Sequence, residues 1–191
     1  DQLHDPARGF HCLARAFEAR PDEPGLLEDV ERLGEVLGAF TQLVELGART
    51  VEKLDETSAK VTLLLRCARW SVRLGDSARA VEFLRGVLGL EPEHEDALSE
   101  LEELLGQLGR HAELADVLEK RAAVVYDVDA KRNLYRTLAA LCVERLADAK
   151  RAASAFDRIL ETDDADLGAL DAVIVLREQL EDWYTMAELL A

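Results

Sequence analysis

Basic residues are scarce: 23 lysines and arginines stand against 39 aspartates and glutamates, a formal net charge of −16, with a sequence pI near 4.6. Such a chain has no basic footprint for a phosphate backbone, and an anionic membrane surface would repel it. Neither nucleic acid nor membrane is therefore expected as a partner. No apolar run approaches the roughly 18 residues of a membrane span. The opening DQLHDPARGF has no basic start followed by an apolar core, so it does not read as a secretory signal. Cysteine is limited to Cys12, Cys67 and Cys142. An odd count at those separations is neither a disulfide framework nor a metal spacing. All three fall in apolar helical stretches, so buried thiols in a reducing, cytoplasmic setting are expected. Proline occurs only at Pro6, Pro21, Pro24 and Pro92, positions suited to helix edges.

What is abundant is internal repetition. A shift of 72 residues lays LGDSARAVEFLRGVLGLEP, beginning at Leu74, over LADAKRAASAFDRILETDD, beginning at Leu146. Arg73 then falls on Arg145, Asp76 on Asp148, Ala80 on Ala152, Ala97 on Ala169 and Leu104 on Leu176. A shift of 71 carries the pattern back to DPARGFHCLARAFEARP near the start. Each long unit divides in two, with turn positions at Gly38, Gly75, Gly109, Ala147 and Glu181, spaced by 37, 34, 38 and 34 residues. Between turns the apolar residues recur at helical spacing, as in Leu98–Leu101–Leu105–Leu108 and Ala80–Leu84–Val87. No segment alternates as a strand does. The pattern predicts helices over 6–19, 26–37, 40–54, 57–73, 77–90, 95–108, 111–126, 129–145, 149–161, 166–179 and 182–191. A helical pair cannot bury its apolar face alone, so stacked pairs sharing a core are expected: an all-α solenoid.

The order small residue, bulky apolar residue, apolar residue, proline in Ala80, Leu84, Val87 and Pro92 resembles the second helix of a tetratricopeptide repeat (TPR). Gly9, Leu13, Ala16 and Pro21 follow it more loosely. The turn Leu74–Gly75–Asp76 and the 34-residue step are similar to that family as well. The resemblance implies a right-handed superhelix of antiparallel helix pairs over 1–191, with pairs breaking near 24, 56, 94, 128 and 165. The family's first-helix Trp/Leu/Gly/Tyr pattern is mostly replaced by leucine and alanine. Every other repeat carries three or four extra residues, which leaves the faces of 57–73 and 129–145 open. The chain begins on a second helix and ends inside another, as a segment cut from a longer array would.

Catalytic patterns are missing. No lysine follows a glycine, which excludes a phosphate-binding loop, and no serine sits in G-x-S-x-G. His94–Glu95 starts an H-E-x-x-H frame, but Leu98 occupies the second ligand position. The histidines His4, His11, His94 and His111 read as solvated edges and surfaces. The acidic runs EPEHED (91–96) and ETDDAD (161–166) lack the glycine and final glutamate of a calcium loop. Their repeat-equivalent positions suit carboxylates placed before a helix N-terminus. Aromatics fall on core stripes, Trp70 in Leu63–Cys67–Trp70–Leu74 and Phe156 in a second helix, with Trp183 and Tyr184 after the last turn. No enzyme activity, cofactor or metal is expected.

What remains is the groove that first helices line in such arrays. The resemblance places groove positions at Glu28, Asp29, Arg32 and Glu35, then at Ser99, Glu100, Glu103 and Gln107, then at Asp171, Val175, Glu178 and Gln179. This face is mostly acidic and would select a basic peptide or helix of a protein partner. The lysine, asparagine and arginine clamp for a terminal carboxylate, known in one family variant, is not matched. The expected function is a non-catalytic protein-interaction scaffold or adaptor. The alternatives are charges that serve only solubility, an array segment that self-associates end to end through uncapped terminal helices, and the scaffold part of a larger protein with its activity elsewhere.

Overall fold

A computed structural model describes residues 5–182, and ten α-helices account for most of them. The expected helix 182–191, with Trp183 and Tyr184, lies outside the described residues, as does His4. The chain divides into two compact units between Ala97 and Leu98.

The first unit holds α1 (Pro6–Ala19), α2 (Leu26–Val36), α3 (Phe40–Thr50), α4 (Thr57–Arg73), α5 (Ser77–Leu90) and the start of α6 (Glu95–Gln107). Asp5 caps α1 by accepting from the Ala7 and Arg8 amides, with Pro6 at the first helical position where no amide is missed. Asp76 caps α5 through the Arg79 amide. His94 Nδ1 accepts from the Ala97 amide at 3.3 Å and so caps α6. This corrects the reading of His94 as a solvated edge residue. The core joins Phe10, Phe17, Val30, Leu43, Leu63, Cys67 and Trp70. Two glycines let helices approach closely. A Cβ on Gly34 would lie 2.8 Å from the Leu43 side chain, and one on Gly47 would lie 2.2 Å from Cys67 Sγ. Instead of running to 54, α3 ends at Thr50 and continues as a 3-10 turn, Val51–Lys53.

The second unit holds the rest of α6, then α7 (His111–Val124), α8 (Val128–Leu141), α9 (Ala149–Leu160) and α10 (Leu167–Gln179). Asp127, Asp148 and Asp166 cap α8, α9 and α10. The core here is built from Ala115, Leu118, Leu138, Ala139, Cys142, Ala152, Ala153, Ala155, Val173 and Leu176. Beyond α8 the chain makes a π turn, Cys142–Leu146, in place of the last turn of the expected helix 129–145. The Asp148 amide reaches back to the Cys142 carbonyl at 3.0 Å.

All five turn positions read from the repeat carry positive φ: Gly38 at 64°, Gly75 at 76°, Gly109 at 65°, Ala147 at 52° and Glu181 at 55°. Each ends a first helix in the left-handed region, which glycine enters freely and an L side chain does not. Cys67 and Cys142 are buried, as expected, but Cys12 is exposed on α1, because its stripe turns outward from Phe10 and Phe17. Burial pushes the Cys67 thiol from 9.0 up to about 12, with Arg79 opposing weakly. Burial likewise raises Cys142. Leu74, read as the end of the Trp70 seam, is exposed.

Candidate interaction surface

In the first unit the predicted positions lie on α2, and α4 answers them with side chains the repeat pattern did not single out. Arg66 donates to Glu28 at 2.9 Å and also to Glu31. Glu31 in turn accepts from the Trp70 indole N–H at 3.1 Å. Arg32 pairs with Asp29 on its own helix at 2.7 Å. Glu28 and Asp29 are thus engaged internally, while Arg32 and Glu35 stay exposed.

Internal pairing recurs in the second unit. Ser99, Glu103 and Gln107 line a cleft of about 410 Å³ with Leu114, Leu118 and Thr137. There Glu102 accepts from Arg121 at 2.6 Å, and Glu103 accepts from the Gln107 amide at 3.2 Å. Glu100 does not line this cleft. Asp163 and Asp166, from the second acidic run, accept from Arg132 at 2.6 Å and Arg136 at 2.5 Å. Asp166 also receives the Ala169 amide, and that bond, with Arg136 beside it, holds its carboxyl below the ordinary 3.8. The run therefore starts α10 and ties α8 to it, in keeping with its expected structural role.

The largest change from the sequence expectation lies between α8 and α10. An open cleft of about 670 Å³ runs along both helices. Its walls are Ala139, Ala140 and Val143 on one side and Ala172, Val175 and Leu176 on the other, with Phe156 of α9 completing the lining. Arg136, Glu144, Asp171 and Gln179 stand among them as the polar groups. The sequence placed Asp171, Val175 and Gln179 here, but not the α8 wall. Glu178 is exposed and off the cleft. The expected acidic face is thus, in this unit, an apolar trough bordered by acids. Phe156 was read as core, yet it is only half-buried because the small alanines leave its face open.

The π turn explains part of this wall. By the 72-residue shift Val143 corresponds to Ser71, which is 0% exposed in α4 and donates its hydroxyl to the Cys67 carbonyl at 2.8 Å. Valine has no such bond to make. Here the chain is in the π turn, and Val143 is 50% exposed on the cleft, beside Glu144. No sequence signal marked it, since a π turn keeps the same apolar composition as the helix it replaces.

Among the described residues no three His, Cys, Asp or Glu side chains are grouped to hold a metal. No helix among them is long and apolar enough to cross a membrane.

Capped helices in sequential pairs, left-handed turns at a 34- to 38-residue step and first-helix clefts define the class: a TPR-like repeat fold. Solved structures agree. A tetratricopeptide repeat protein from Parabacteroides merdae matches with a TM-score of 0.52 over 93% of this chain and 68% of that one, at 17% identity. YrrB, described as a TPR protein with an unusual peptide-binding site, matches with a TM-score of 0.50 over 90% of this chain and 84% of its own, at 12% identity. No family model matches the sequence, and no curated protein does.

Proposed function

We propose that this chain is a non-catalytic docking module that holds a basic segment of a protein partner against its first helices. The observation that carries the reading is the apolar cleft between α8 and α10, on which the groove positions Asp171 and Val175 converge. A monomeric protein rarely leaves such a surface uncovered without a use for it. The net charge of −16 favours a cationic partner at long range and disfavours nucleic acid. Ser99, Glu100, Glu103 and Gln107 on α6 and Glu178 on α10 are the further polar groove positions of the second unit, and Arg32 and Glu35 on α2 are those of the first unit. Glu28, also on α2, is held by its pair with Arg66. Three cysteines without a disulfide suit the cytoplasm.

The test is capture of partners from cell lysate by the native chain and by a Val175→Asp variant, each over a salt series, with sedimentation of the bait across dilution. The reading expects a defined partner, held by the native chain, lost by the variant and weakened by salt. Identical captures by both baits would refute it. So would concentration-dependent growth of the bait with no partner, which favours end-to-end association.

A further inference from the structure

The α8–α10 cleft also constrains what can lie in it, a step that rests on the docking reading above. Its walls are aliphatic and its backbone is spent, because the α8 and α10 main chains are hydrogen-bonded within their own helices. An extended peptide laid there would set most of its own N–H and C=O groups against Ala140, Val143 and Val175, with the Glu144 and Asp171 carboxylates able to accept only from N–H groups and the Gln179 amide as the neutral partner nearby. Each such group left unpaired in apolar surroundings is costly. A helix brings its main-chain bonds satisfied and presents only side chains.

Charge adds a second constraint. Arg136 is taken by Asp166 at 2.5 Å. Glu144 and Asp171 stand on opposite walls, and neither pairs with another described residue. The border therefore offers two uncompensated carboxylates flanking an apolar floor. The π turn that brings Glu144 and Val143 onto the wall ends in Ala147 at φ 52°, a conformation an L residue adopts at a cost.

From these we infer that the cleft receives an amphipathic helix of a partner protein, with aliphatic side chains on one face and lysine or arginine on both flanks. The aliphatic face covers Val143, Val175 and Phe156. The flanking cations meet Glu144 and Asp171.

The probe is a synthetic helical peptide about four turns long, with leucines at i, i+3, i+4 and i+7 and lysines on either side. Two controls accompany it: the same peptide with glutamates for the lysines, and one of the same composition broken by proline. Each is titrated into the full chain while the methyl resonances of Val143, Val175 and Leu176 are followed. The lysine helix is expected to saturate at those methyls and to bind at least tenfold tighter than either control. A Glu144→Lys, Asp171→Lys double variant, unchanged in circular dichroism and melting, is expected to lose at least tenfold for the lysine helix alone. Equal binding of the proline-broken peptide at the same methyls would overturn the helix and leave the docking reading standing. Equal binding of the glutamate helix, or no effect of the double variant, would overturn the charge assignment. If no peptide perturbed these methyls, both this inference and the docking reading of the cleft would fall.

Discussion

The two units use the same repeat and fill it differently. The first packs Phe10, Phe17 and Trp70 among leucines, and Gly34 and Gly47 make room for Leu43 and Cys67. The second packs Ala115, Ala139, Ala152, Ala153 and Ala155 among its leucines. Small side chains close α8 onto α9 but cannot fill the space toward α10, and the cleft is what they leave. A repeat can therefore satisfy its buried seam in either way, and in the alanine-rich version an apolar trough runs along the first helices. The same contrast holds at the helix ends. After α4 the chain turns at Gly75 from a regular α-helix, with the Asp76 amide bonded to the Ser71 carbonyl at 2.9 Å. After α8 it turns at Ala147 from a π turn.

That contrast can be broken most forcefully at its bulky side. Phe17→Ala should destabilise the chain by about 4 kcal/mol, and Leu138→Ala in the second unit by about 3 kcal/mol, read as shifts in urea midpoint. If Leu138→Ala proved the costlier, the first core would not be the more tightly filled. Gly47→Ala should cost about 2 kcal/mol through its collision with the Cys67 sulfur. Adding Cys67→Ala removes the colliding atom, so the double variant should be more stable than Gly47→Ala alone. Failure of that rescue would mean the close approach does not decide the packing.

Smaller effects sharpen the comparison at the turns and caps. Gly75→Ala should lose about 1 kcal/mol while Ala147→Gly gains about the same, because only the latter relieves a side chain held at positive φ. Equal signs in thermal melts would contradict it. Asp166→Ala should cost about 1 kcal/mol near neutral pH by uncapping α10. Its carboxyl is held below 3.8 in the fold, so its contribution is full above that value and fades as the pH falls toward the folded-state value. The gap in Tm between wild type and variant should accordingly narrow from about pH 7 to about pH 3. A constant gap would mean that the charged form is not what caps the helix.

Much of the fold was legible because turns and stripes are local. Gly38, Gly75 and Gly109 announce themselves by residue type, and Ala147 and Glu181 were found only because the repeat carried the turn onto them. The candidate cleft was legible on α10, where Asp171 and Val175 fall on the regular helical face. It was not legible on α8, where the π turn rotates Val143 and Glu144 away from the positions a regular helix would give them. Nor does an acidic composition say which acids are already taken. Arg66, Arg121, Arg132 and Arg136 each hold carboxylates from a neighbouring element, through partners some 20 to 40 residues away in sequence that no local pattern connects.

The central claim is that the α8–α10 trough is space kept for a partner and is not a defect in packing. Ala140→Leu tests it most directly, since Ala140 is exposed on the trough and a leucine there adds bulk to the trough and none to the buried seam. Melting and titration with the lysine helix would be measured on the same sample. The account predicts a Tm equal to or above wild type and at least a tenfold loss of helix binding. A lowered Tm with binding retained would contradict it, placing the helix elsewhere and the trough within the packed core.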